Sequence, residues 1–336
     1  MLSCIWYSAC QQPIQPNKTK PTLPWYQQEQ PAAVQSVTSA FNVCAWHADI
    51  CAQFSNPKIW VLTHQIQTQT DMHAWQSQLS DCLSAFHSWC CHNDLALNSS
   101  KSKSILIGTR QCRHTFPSVV SPTIAGTLIP FLETIKTLED ILDQNLTLNK
   151  HVSSLLHNIH YYTHALRHIR PALAESIAAT LGASLVQSRL DYSNSIMYGI
   201  SASNMQLQSA QNSLTRVVLP SLRHLSASER LYLHWLPVHY RIQFKIATLT
   251  YKTLATCQPS YLYNLLQVHQ PSQALRSSTH KLLQVPYLST DFGRRAFSYS
   301  APATWNSIPT SIKKCSSLYS FKHHLKSHLI AQLINS

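Results

Sequence analysis

The chain has 336 residues, of which 44% are hydrophobic, and a formal net charge of +13. That apolar share excludes wholesale disorder, and the length accommodates two or three domains. Five glycines speak against phosphate-cradling glycine loops, and no run reaches the roughly 18 apolar residues of a membrane span.

Residues 1–40 are rich in Gln and Pro without a sustained period, which predicts a disordered lead-in. Residues 41–62 alternate short apolar patches with turn residues such as Asn56-Pro57 and predict a strand pair. From Asp71 to Trp89, Met72, Trp75, Leu79, Cys82, Leu83, Phe86 and Trp89 recur at spacings of three and four, the mark of an amphipathic helix. Ser104 to Gly108 predicts a short buried strand, 117–130 turns and short strands, and 131–142 a second strand pair. Beyond this the pattern is helical. Val152, Leu155, Leu156, Ile159, Leu166 and Ile169 mark a helix that ends near Pro171. Further helices are expected over 174–190, 204–218, from Pro237 to about Leu254, over 260–266 and over 318–333, with Pro237 well suited to a first helical position. Pro271, Pro286, Pro302 and Pro309 predict that 270–310 is extended or looped. Leu156, Ile159, Leu185 and Ile246 are the expected core of the helical part. The fold class is therefore α+β and helix-dominated.

The charge is unevenly placed. Residues 205–336 hold 14 Lys and Arg against two acids, Glu229 and Asp291, a local excess of +12. Such a block points to a polyanion, RNA or DNA, bound without sequence preference, although a solvated basic surface has the same composition. Arg230, Arg241, Lys245 and Lys252 form one basic group; Lys313, Lys314, Lys322 and Lys326 form another, with Arg294 and Arg295 between them. The 241→245 and 322→326 intervals are one helical turn, which places each pair on one face. No small-molecule substrate and no membrane partner are expected. The ten cysteines are scattered, and the first ten residues lack a basic flank followed by a long apolar run. An intracellular protein, nuclear or cytoplasmic, without a signal peptide is expected. Cys44-x2-His47-x3-Cys51 and His87-x2-Cys90-Cys91-His92 do not match paired zinc-ligand spacing, so no metal site is expected. A hydrolase triad is not supported, because there is no Gly-x-Ser-x-Gly elbow.

Several strings, taken in order, resemble non-LTR (LINE-type, jockey-like) retrotransposon reverse transcriptases. His47-Ala48-Asp49-Ile50 occupies the place of the family's Tyr-Ala-Asp-Asp. Leu97-Asn98-Ser99-Ser100-Lys101 with Ile105-Leu106-Ile107-Gly108 is similar to Leu-Asn-x-x-Lys-Thr followed by Leu-Leu-Ile-Gly. Ile135-Lys136-Thr137-Leu138-Glu139-Asp140-Ile141-Leu142-Asp143 resembles Val-Lys-x-Leu-Gly-Val-x-Leu-Asp. Ser188-Arg189-Leu190-Asp191-Tyr192-Ser193-Asn194 resembles Ser-Arg-Leu-Asp-Tyr-Cys-Asn, and Gln211-Asn212-Ser213-Leu214-Thr215-Arg216 resembles Gln-Asn-x-Ala-x-Arg. Leu233 to Val238, Arg241 to Lys245, Arg294 to Pro309 and Ser320 to Lys326 continue the likeness to about residue 330.

The resemblance implies a remnant of the polymerase palm over 41–145, a thumb-like helical region over 146–256 and a basic C-terminal region over 257–336. It implies RNA-directed DNA synthesis as the parent activity, with Mg²⁺ held by palm carboxylates. Asp49 is the retained carboxylate and Lys101 the basic residue near the incoming triphosphate, both as remnants. Ile50 stands where the second aspartate belongs, and the early-strand carboxylate would lie upstream of Met1. A truncated and catalytically inactive polymerase fragment that still binds nucleic acid is therefore expected, with no cofactor in this chain. The alternative is a helical structural or protein-interaction remnant with no nucleic-acid role. Glu139, in place of the family's glycine, predicts that the tight turn at 138–139 is disturbed.

Overall fold

A computed structural model of the chain describes residues 2–11, 59–60, 69–92, 94, 96–108, 120–200, 206–220, 233, 235–270, 281–288, 291 and 293–334. It consists of two compact units, Met1–Leu148 and Asn149–Ser336. The first division lies three residues from the expected 145/146 boundary. The expected division at 256/257 is not a boundary, because helices on both sides of it share one core.

Among the described residues, the first unit combines small antiparallel sheets with one long helix. Strands β1 (Leu2–Gln11), β2 (Ile59–Trp60) and β3 (Ala96–Gly108) form a sheet in the order β2-β1-β3. The strand at 2–11 corrects the disordered lead-in expected there. Its partner β3 is longer than expected, and the pairing skips a register between Tyr7 and Ala9, opposite 99–102. Helix α1 (Gln69–His92) packs on β3 and on the short strand β4 (Thr123–Ile124), which pairs with β5 (Thr127–Leu128) around Gly126 at φ +78°. Leu79, Leu83 and Cys90 are buried on it, spaced as one helical face. Ser104 to Gly108 is buried throughout, as befits a strand end covered on both sides. Strands β6 (Thr134–Thr137) and β7 (Asp140–Asp143) form the expected hairpin. The turn closes in spite of Glu139: Leu138 and Glu139 take φ +45° and +71°, the double positive φ of a type I′ turn. Lys136 reaches Glu139 at 2.7 Å across it. Asp143 then organises the chain that follows: its carboxylate accepts from the backbone N–H of Asn145, Thr147 and Leu148 and from the Thr147 hydroxyl.

The second unit is helical. Helix α2 (Asn149–Ile169) buries Val152, Leu155, Ile159 and Leu166 and ends before Pro171. The helix expected over 174–190 is three consecutive pieces: α3 (Glu175–Gly182), a π turn (Ala183–Gln187) and α4 (Ser188–Asp191). Gly182 sits where a Cβ would come within 3.1 Å of the Trp235 ring and 3.2 Å of Val218, so a larger residue there would have to push these side chains aside by a few tenths of an ångström. Helix α5 (Gln206–Val218) packs on α2 and α3. Helix α6 (Val238–Thr256) starts behind Pro237 and stops at Cys257, whose left-handed φ of 53° is the usual way to end a helix. A short α7 (Ser260–Tyr263) follows.

Residues 297–306 correct the expectation of a loop. They form helix α8 (Phe297–Asn306) with Pro302 inside it. Phe297, Ala301 and Trp305 are buried at four-residue spacing, and this packing outweighs the backbone bond that proline cannot make. Trp305 donates to the Lys281 carbonyl, and the Asn306 side-chain amide pairs with both the N–H and the C=O of Leu283. Helices α9 (Thr310–Lys313) and α10 (Leu318–Ile334) complete the unit. Phe321, Leu325 and Leu329 line the inner face of α10, and Phe321 stacks on Tyr251 of α6 at 4.3 Å between centroids. Of the four residues expected in the core, Ile159 and Ile246 are fully buried, while Leu156 and Leu185 are half-buried. The architecture is α+β and helix-dominated, as expected.

Candidate nucleic-acid interface

The basic residues sort into two kinds. Arg241 belongs to the interior. Its Nε donates to the Leu236 carbonyl at 2.6 Å, and its Nη1 reaches both carboxylate oxygens of Asp191 at 2.7 and 2.8 Å. Gln211 donates to the same Leu236 carbonyl at 2.9 Å, and Gln208 accepts from the Val238 N–H at 2.8 Å. Leu190, Asn194, Gln187 and Gln211 around this clasp are all buried. It joins α4, α5 and the turn into α6. The expectation that Arg241 offers its charge to phosphate is therefore corrected. Lys245, one turn on, is half-buried on the same inward-leaning side, so the 241/245 pair does not form an exposed cationic face.

Lys313 is corrected for the same reason. It is buried, its Nζ lies 5.8 Å over the Trp305 ring, and burial pulls its pKa down. Arg295 is half-buried. Arg294 is exposed but steadied, with its Nε donating to the Leu288 carbonyl at 3.2 Å and Nη1 lying 3.7 Å from Asp291.

Lys252, Lys314, Lys322 and Lys326 are exposed. The last two lie on α10 with its apolar stripe turned the other way. Tyr319, Lys322, His323 and Lys326 follow the three-and-four spacing of one outer face, and Tyr319 is 82% exposed. Asp291 is the last acidic side chain in the sequence, so no carboxylate neighbours this face from α8, α9 or α10. A helix face of this kind can contact phosphates through ammonium groups and offer a ring to a base, and it carries no donor–acceptor pattern fixed enough to read sequence.

In the first unit, Lys101 is exposed in the irregular part of β3. Asn98 Oδ1 accepts from its backbone N–H at 3.1 Å and from Ser100 Oγ at 2.6 Å, which shapes a small side-chain-stapled turn. Asp49 and Arg230 lie outside the described residues. Among the described residues, no group of three His, Cys, Asp or Glu side chains could hold a metal ion, and no helix is long and apolar enough to cross a membrane.

Sequence reasoning missed the outer face of α2, where His157, His160, His164 and His168 are all exposed. Their spacing of three, four and four was the available signal. No protein-family model, curated protein or solved structure matches the chain.

Proposed function

We propose that the chain derives from the C-terminal part of a non-LTR retrotransposon reverse transcriptase and that its surviving property is sequence-tolerant binding of RNA or DNA through the exposed cations of the tail, without polymerase catalysis. The outer face of α10 carries this reading: Lys322 and Lys326 are exposed one turn apart, beside Tyr319 and His323, with no acidic side chain after Asp291. The strings that carry the resemblance support the same origin by the work they do. Asp143 staples a turn, Asp191, Gln211 and Arg241 build the clasp, and Trp305 plugs the tail against 281–283. These are the positions a fold would hold on to after its chemistry had gone. Ile50 removes an oxygen ligand at the place where two-metal polymerisation needs one.

The test is binding of the full chain to RNA and DNA oligonucleotides of unrelated sequence across a salt series. Affinities should be alike and should fall with salt. Lys322→Gln with Lys326→Gln should flatten the slope of log affinity against log salt by about 1.8, two phosphates at about 0.9 each. Salt-independent binding, or none, would favour the alternative of a protein-interaction module. Primer extension on an RNA template with Mg²⁺ should show no incorporation above a heat-killed control, for the chain and for Ile50→Asp alike. Template-dependent incorporation would overturn the inactive assignment.

A further inference from the structure

The histidines of α2 are not explained by nucleic-acid binding or by packing. The helix buries Val152, Leu155, Ile159 and Leu166 on one side, and on the other it exposes His157, His160, His164 and His168. Two of these are brought together. His164 Nδ1 and His168 Nε2 are 3.2 Å apart, with ring centroids 4.5 Å apart and ring planes at 77°. A zinc ion bound at 2.0–2.1 Å to two imidazole nitrogens holds them about 2.9 Å apart at a right angle and about 3.3 Å apart at the tetrahedral angle. The observed separation lies between these limits. The two rings stand edge to face, so they meet at their nitrogens rather than face on face.

We propose that His164 and His168 form a two-point chelate for a divalent late first-row cation, of the class Zn²⁺, Cu²⁺ or Ni²⁺. Imidazole nitrogen selects these ions over Mg²⁺ and Ca²⁺, which take oxygen ligands. Binding requires the unprotonated nitrogen on each ring, so the ring that donates in the present N–H···N contact takes the tautomer with its proton on the other nitrogen, and two neutral imidazoles then coordinate without net loss of a proton. Water completes the coordination, since among the described residues no third His, Cys, Asp or Glu converges on the pair. The helix backbone fixes the one-turn offset, so the two ligands are largely preorganised. His160 stands one turn before His164 on the same face, two turns from His168, and among the described residues no contact joins it to the pair as His164 and His168 are joined. Arg167, exposed nearby, opposes any dication by charge, and among these ions nitrogen ligands bind Cu²⁺ most strongly.

The chelate is independent of the reverse-transcriptase reading and is tested on the full chain after chelator treatment. Zn²⁺ is titrated calorimetrically at about pH 7.5, where ordinary imidazole is mostly neutral, and Cu²⁺ is followed by electron paramagnetic resonance for nitrogen coupling. A saturable site of one ion per chain is expected. His164→Ala and His168→Ala should each weaken it at least roughly tenfold, the loss that removing even an outer-shell partner causes. His87→Ala and His323→Ala should leave it intact. His164, His168 and His323 are exposed and His87 is half-buried, and unchanged circular dichroism is expected for every variant. Zn²⁺ should also raise the melting temperature of the parent but not of His164→Ala. Absence of a saturable site, or equal binding by His164→Ala, would overturn the proposal.

Discussion

Replacing Arg241 with Ala should weaken the second unit and leave its response to salt untouched. The side chain makes one short bond to the Leu236 carbonyl and a forked contact with Asp191. A hydrogen bond from a charged donor contributes about 1.5–3 kcal/mol. The Leu236 carbonyl keeps Gln211 as a donor, so the lower end applies to that bond. The Asp191 side chain is 52% exposed, which screens the pair and limits it to about 1 kcal/mol. Lost packing of the methylene stem adds roughly one more, at about 0.8 kcal/mol per buried CH₂. The variant should therefore lose about 3 kcal/mol, which for a unit of this size lowers the melting temperature by about 6–12 °C. Urea unfolding followed by circular dichroism gives the first quantity, and oligonucleotide binding across a salt series, at a temperature where both proteins are folded, gives the second. The reasoning fails if stability stays within about 0.5 kcal/mol while the salt slope drops by about 0.9, since that is the signature of a single phosphate contact.

The core makes a graded prediction: Ile159→Ala and Ile246→Ala should each cost about 2–5 kcal/mol, and Leu156→Ala and Leu185→Ala clearly less, because they start half-buried; equal losses at all four in urea unfolding would contradict the packing. His151 is buried and its pKa is held below the ordinary imidazole value by desolvation. The unfolded chain then takes up the proton more readily, so stability is complete above about pH 6.5 and falls as pH drops below it. Denaturation midpoints at about pH 7.5 and pH 5.5 should differ less in His151→Phe than in the parent, and an unchanged difference would remove His151 as the cause.

Most helices are readable from the three-and-four recurrence of apolar residues, and α2, α5, α6 and α10 lie within two or three residues of their expected bounds. Counting prolines obscured α8: Phe297, Ala301 and Trp305 already mark a helical face, but Pro302 outweighed them in the reading. The turn at Leu138-Glu139 was obscured in the same way, since glycine is the cheapest occupant of positive φ but not a required one. The placement of the basic residues was half readable. Spacing alone placed Lys322 and Lys326 together correctly on an exposed surface. The same argument misplaced Arg241 and Lys245, because one-turn spacing says that two residues share a face and not which way that face looks. The orientation of α6 depends on Asp191, fifty residues earlier, and no local pattern carries that.

The π turn at Ala183–Gln187 gives this part of the chain an unusual sensitivity to length. A widened turn absorbs one residue more than an α-helix would, and each residue of an α-helix advances the rotation by about 100°. Asp191 therefore faces α6 only because the extra residue is present. Substitutions within 183–187 can be accommodated one side chain at a time, but losing a single residue there would swing Arg189, Leu190 and Asp191 round the helix together, away from Tyr162, the core and Arg241. The bulge thus behaves as a fixed-length spacer, and reading-frame-preserving deletions and insertions in that segment are a harsher trial for this fold than any point change nearby.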